Sequence, residues 1–163
     1  MSEPVSPIRP TDEAARALAR SLVAGASFGA LGVLHPGTGI PHVARIAVAP
    51  AIGGGMLAFV SGLALHSRAL AAAPKAGLLI GEPGPKGDPL THPRLSLSVI
   101  ASFVSAEAAA TQGLRALWLA RHPKARVYVD LPDFRFVHLA PTTAFLNGGF
   151  GKAFELAAAD LLP

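Results

Sequence analysis

Apolar and polar positions repeat with two different periods along this chain, and the switches between them mark its elements. Residues 1–10, punctuated by three prolines, read as a flexible tail. Thr11 or Asp12 is placed to cap a helix with Glu13 in its first turn, where a carboxylate meets the positive end of the dipole. Leu18, Leu22 and Val23 then recur one turn apart, and Gly25 marks the stop. A strand over 27–34 ends at His35-Pro36-Gly37-Thr38-Gly39, and a second over 42–49 ends at Pro50. The triplet Gly53-Gly54-Gly55 turns the chain, and 56–61 returns as a third strand.

The second half mixes the two periods. The Ala- and Leu-rich stretch 63–73 predicts a short helix stopped by Pro74, and 76–80 predicts a strand. Residues 81–89 are too rich in Gly and Pro to be anything but a loop. In 94–104, Leu95, Leu97, Val99 and Phe103 share one face of a strand, with Ser96 and Ser98 opposite. Ser105 is placed to cap a helix over 106–121, with Pro123 beyond it and a short helical turn over 124–129. Strands follow over 134–139 and 142–146, and Asn147-Gly148-Gly149-Phe150-Gly151 leads into an expected final helix. Six or seven short strands with few helices predict a mainly β fold, a small barrel with helices packed outside. The order of pairing does not follow from these patterns.

Composition narrows the class. A length of 163 residues suits one domain, expected over 11–163. Apolar residues reach 51% and charged residues only 15%, so the chain folds and its surface is sparse in charge. There is no Cys, which removes thiol nucleophiles, thiolate metal sites and disulfides. The net charge of +4 suits an anionic ligand and is too small to argue for nucleic acid. The start has no apolar signal core, and the uncharged stretch 46–65 is broken by Pro50 and the glycine triplet. The expectation is a soluble, cytoplasmic protein with no membrane partner.

Catalytic signatures are mostly missing. The 81–88 loop does not match a phosphate-binding P-loop, and neither GxSxG nor GxGxxG occurs. The six His residues include no HxH, HxxxH or HExxH pair, so no metal site is expected. His92 and His138 read as hydrogen-bond donors at the edge of the core, and Trp118 as a helix residue packed on the barrel. The informative piece is Phe59-Val-Ser-Gly-Leu-Ala-Leu-His66-Ser67-Arg68. There a strand enters a helix, whose free N–H groups, Arg and Ser suit a phosphate. Arg45, on the neighbouring strand, would add a second guanidinium. Spacing alone leaves open that Arg45 and Arg68 are only solvated surface charges.

Taken together, short segments in a fixed order resemble a known family along nearly the whole chain. They are Gly29-Ala-Leu-Gly with His35-Pro36, Pro41-His-Val-Ala-Arg45-Ile-Ala-Val, and Val60-Ser-Gly-Leu-Ala-Leu-His66-Ser67-Arg68-Ala-Leu70. Gly87-Asp-Pro-Leu-Thr-His-Pro-Arg94, Leu119-Ala-Arg-His-Pro-Lys-Ala, Asp133-Phe-Arg-Phe and Asn147-Gly-Gly-Phe-Gly-Lys152-Ala complete the set. The sequence resembles the pyridoxamine 5′-phosphate oxidase-like FMN-binding split barrels, in the branch related to haem-utilisation (HugZ-type) proteins.

That resemblance implies a six-stranded antiparallel split β-barrel that forms a homodimer, with FMN in a groove at the interface. By carry-over, Arg45, His66, Ser67 and Arg68 face the phosphate. Ser61, Gly62 and the backbone of Ile46 and Ala47 face the ribityl chain or ring. Arg94, Phe150 and Lys152 are candidates to reach the site of the partner subunit. The function implied is an FMN-dependent oxidoreductase acting on a small substrate, with no catalytic acid or base named. The alternative is a non-catalytic flavin- or tetrapyrrole-binding regulatory module. Three departures matter: Ser67 replaces the usual Thr and Ala69 the usual Asn, Ala73-Pro74-Lys75 replaces Asp-Pro-Arg, and Lys152 replaces an Arg. The sequence also stops at Pro163, before the haem-ligating His of some relatives, so haem degradation is not expected. No substrate-phosphate set like that of true pyridoxamine phosphate oxidases is evident.

Overall fold

The computed structural model describes residues 6–162. Strands β2 (Phe28–Leu34), β3 (Pro41–Pro50), β4 (Met56–Ser61), β5 (Lys75–Ile80), β6 (Arg94–Phe103) and β7 (Phe134–Asn147) form the barrel. They close in the cyclic order β7-β4-β3-β2-β5-β6, with every neighbouring pair antiparallel. The expected six-stranded split barrel is therefore the fold. Inside lie Leu31, Val48, Met56, Leu78, Leu95, Val99, Leu139 and Leu146, all buried.

Strand β4 explains why 56–60 carries no polar residue: it is buried on both faces. Met56, Ala58 and Val60 join the barrel interior. Leu57 and Phe59 instead join a second, outer cluster with Trp118, Val129 and Phe136. That cluster is covered by α3 (Ala106–Thr111), α4 (Leu114–Arg121) and the 3-10 turn Pro123–Val127. The single helix expected over 106–121 is thus split in two. Gly113 takes φ +64°, a left-handed conformation that ends one helix and starts the next. Helix α1 (Glu13–Gly25) begins as expected: the Asp12 carboxylate accepts from Ala15 N at 2.8 Å.

The fold departs from expectation at three further places. The two strands expected over 134–146 are one continuous β7. Register slips at Ser98/Val99, where Thr143 pairs with Ser98 and Pro141 with Val99. A bulge at Thr142 thus carries the ladder past a proline that cannot donate to it. The expected final helix is instead strand β8 (Ala153–Ala157) followed by a 3-10 turn, Ala158–Leu161. Its alanines read as helical, but Phe154 and Leu156 are buried at period two, and the edge of β7 beyond β4 accepts the strand. Finally, Ile8–Arg9, expected in the tail, form β1 and pair in parallel with β8. Residues 1–5 of the expected tail lie outside the described residues. Among those described, no helix is long and apolar enough to cross a membrane.

Candidate functional site

The split lies where β3 and β4 part. Strand β3 pairs with β2 through 41–47 but meets β4 only at Val48–Ala58, Ala49–Leu57 and Pro50–Met56. Beyond that point, Phe59 to Ser61 pair with β7. Residues 41–47 of β3 therefore keep an edge with no strand on it among the described residues, and alternate residues turn N–H and C=O groups toward that gap. Helix α2 (Leu65–Ala72) leaves the end of β4 and packs against β2 and β3.

The β4–α2 turn is fixed by Asp133, a residue to which the sequence motifs assign no role. Ser61 Oγ donates to the Asp133 carboxylate at 2.5 Å and accepts from Leu63 N at 3.2 Å. Gly62 N donates to the Asp133 main-chain carbonyl at 2.6 Å. A Cβ on residue 62 would lie 3.0 Å from that same oxygen, so the close approach favours glycine. Ser67 is only 1% exposed, and its hydroxyl donates to Ser61 O at 2.5 Å. The two serine hydroxyls thus hold the turn together, and neither presents a free proton. Only the pairing of Asp133 with Ser61 across the sheet could have signalled this, and pairing is not legible in the sequence. Asp133→Ala is expected to lower unfolding free energy by about 1–3 kcal/mol, by leaving a half-buried hydroxyl without its acceptor. Denaturant titration would measure it.

The start of α2 is open. Asp12 caps α1 and Ser105 caps α3, but Ala64 precedes α2 and has no side chain with which to cap it. The first main-chain donor with a helical partner is Arg68 N, bonded to Ala64 O at 3.2 Å. The N–H groups of Leu65, His66 and Ser67 therefore stand at the positive end of the helix without one. Arg68 is exposed, and its guanidinium has no bond to any described residue. The half-buried His66 has its pKa lowered, first by desolvation and then by the nearby charge of His42 on β3. Burial alternates along β3: His42, Ala44 and Ile46 turn inward, whereas Arg45 is exposed on the other pleat. The Arg45 guanidinium stands 5.6 Å from the centre of the Phe28 ring and pairs with no described carboxylate.

The structure thus brings Ser61, Gly62, Ser67 and the α2 start together. Ile46 is buried in the barrel and Ala47 packs against the outer cluster, so their contribution to the gap is backbone. The larger clefts of the single chain are lined by other residues. Arg94 donates to Leu90 O at 2.9 Å and so braces its own loop, whereas Phe150 is 96% exposed. His138 Nε2–H donates to Gly54 O at 2.9 Å, and His92 bridges Gly84 N and Lys86 O within the 81–93 loop.

No family model matches the sequence. The chloroplastic noncanonical heme oxygenase HOZ of Arabidopsis thaliana is 31% identical over 134 residues, 77% of this chain. The chain spans 40% of the length of that protein. A solved chain with 49% identity covers 95% of this chain and 99% of its own length, with a TM-score of 0.87. The heme binding protein from Mycobacterium smegmatis is 29% identical, with a TM-score of 0.79, over 94% of this chain and 61% of its own. A general stress protein 26-related protein of the pyridoxinephosphate oxidase family, from Clostridium acetobutylicum, shares the fold at 12% identity. Its TM-score is 0.69, over 93% of this chain and all (100%) of its own. The fold is thus that of the split barrels of the pyridoxinephosphate oxidase family, and the sequence is similar to a heme oxygenase and a heme binding protein.

Proposed function

We propose that this protein binds FMN at the gap between β3 and β4 and acts as a flavin-dependent oxidoreductase on a small substrate. The observation that carries the reading is the uncapped start of α2, next to the unpaired Arg68 and the open edge of β3. Helix N–H groups and guanidinium groups together suit a phosphate. Arg45 and Arg68 would supply the charge, and the N–H groups of Leu65 to Ser67 the directional bonds. The backbone edge at Ile46 and Ala47 would face the ring or ribityl chain. Ser61 and Ser67 act in this reading by shaping the turn. FMN bound there would supply hydride chemistry, so the protein itself needs no acid–base pair.

A second copy would complete the groove. The outer face of β2, β5 and β6 carries Ala30, Gly32, Gly77, Ser96 and Ser98, small residues that allow a flat approach. Leu79 and Phe145, 42% and 40% exposed, add apolar area on the same face. A face of small and apolar residues, flanked by Arg45 and Glu155, suits a homodimer.

Haem binding is the second reading, because two of the relatives near 30% identity are a heme oxygenase and a heme binding protein. The same cationic helix start would then hold a propionate. Titration of the purified protein with FMN and with haem, followed by absorption and sedimentation, tests both. Micromolar FMN binding to a dimer supports the flavin reading. Haem binding with no affinity for FMN overturns it.

His66 gives this reading a pH signature. Burial holds its pKa down in the free protein, and a neighbouring phosphate would raise it again. Binding then takes up a proton, so His66 strengthens affinity as pH falls through its raised, ligand-bound pKa. The phosphate itself loses charge near pH ~6 and weakens binding in both proteins. The expected result is therefore a ratio: wild-type over His66→Gln affinity rises as pH is lowered. A flat ratio across FMN titrations would remove His66 from the phosphate's surroundings.

A further inference from the structure

Outside the barrel, between the end of β6, helix α3 and the strand entering β7, lies a cleft of about 780 Å³. That volume is within the range of small-molecule sites, roughly 300–1,000 Å³. Its floor is Phe59 and Phe136, nearly buried and 4.5 Å apart between ring centres. Phe103 and Phe134 add two more rings to its lining, so flat aromatic surface is presented from several sides. The side of α3 that faces it contributes only alanines, which leaves the space open. At the rim are two guanidiniums, and no Asp or Glu lines the cleft among the described residues.

The two cations are not equivalent. Arg115 is already neutralised by Asp130, through bonds of 2.8 and 2.6 Å. Arg135 lies over the Phe103 ring, its guanidinium carbon 4.3 Å from the centre, and makes no ion pair or hydrogen bond among the described residues. The cation–π contact with Phe103 holds this guanidinium at the rim, and its N–H groups, without a partner among the described residues, are free for an anion. An apolar aromatic cavity with one free cation at its rim matches a planar ligand with one acidic group.

We propose that this cleft is a binding site for polycyclic aromatic carboxylates, with Arg135 holding the carboxylate and the phenylalanines holding the rings. The site is distinct from the α2 start, since none of the residues placed there lines it. Titrations of the purified chain with 1-pyrenecarboxylate and its neutral counterpart 1-pyrenemethanol, read by fluorescence anisotropy, test the proposal. The acid is expected to bind at least about tenfold more tightly than the alcohol, the scale of one charge-assisted hydrogen bond. Arg135→Gln should bring the acid down to the affinity of the alcohol and leave the alcohol unchanged. Ala109→Trp should block both by filling the space, with an unchanged melting temperature showing that the variant folds. Equal affinities for acid and alcohol, an unaffected Arg135→Gln variant, or binding that survives Ala109→Trp overturns the proposal. Loss of pyrenecarboxylate binding in the Arg45→Ala/Arg68→Ala variant also overturns it, by placing the probe at the other site. Retention there, alongside failed FMN binding, would leave this cleft standing on its own.

Discussion

The Arg45→Ala/Arg68→Ala variant should bind FMN about a hundred- to ten-thousand-fold more weakly than the wild type. Hydrogen bonds to charged groups contribute about 1.5–3 kcal/mol each, so losing two removes roughly 3–6 kcal/mol. Stability should hardly change, because both side chains are exposed and neither is bonded to a described carboxylate. Among the described residues, the substitutions remove the stacking of Arg45 on Phe28, worth about 0.5–1 kcal/mol at an exposed place. Isothermal titration of both proteins measures the effect. An unchanged dissociation constant would remove the phosphate from this end of the barrel.

The largest loss of stability is expected at Trp118. It is 0% exposed and touches Phe59, Phe136 and His122, with ring centres 5.8, 5.9 and 4.3 Å away. Truncating such a residue to alanine costs about 3–5 kcal/mol, a large part of the roughly 5–15 kcal/mol that holds a domain folded. The effect should reach the gap between β3 and β4. His122 stacks on Trp118 and its Nε2–H donates to Val48 O at 2.8 Å, where β3 begins to pair with β4. Trp118→Phe should cost less. Trp118 Nε1 has no hydrogen-bond partner among the described residues, so Phe removes a buried donor that was already unsatisfied. Guanidinium unfolding of the two variants provides the comparison, and a Trp118→Ala protein as stable as the wild type would contradict this account of the outer cluster.

Strand positions were legible where the period was clean. The third expected strand and β4 agree at both ends, 56 and 61, because a glycine triplet precedes it and Ser61-Gly62 follows. Legibility failed where composition and pairing disagreed. Residues 153–157 are locally helical in composition, and only the vacant edge of β7 makes them a strand. The helix over 106–121 looked continuous because a lone glycine is tolerated within helices, and the left-handed φ that Gly113 adopts is one of several conformations open to it. At the candidate site, residue types and their order pointed to the β4–α2 turn. What they could not supply was the partnership of Ser61 with Asp133, 72 positions apart, which engages the Ser61 hydroxyl within the turn, or the bond from the Ser67 hydroxyl to Ser61 O. The inward or outward facing of Arg45 relative to His42 likewise required the pleat to be placed against the core.

Strand β7 is bordered by β4 and β8 along one edge and by β6 along the other. Because this hub begins only at Phe134, a chain emerging from the ribosome holds five barrel strands, β2 to β6, with nothing to close them. Until the last part is synthesised, the flanks of β4 and β6 are bare templates for intermolecular pairing. Non-local closure of this kind is slow. Biogenesis should therefore depend on chaperone shielding late in translation, and premature stop codons before Phe134 should yield inclusion bodies instead of a smaller soluble domain.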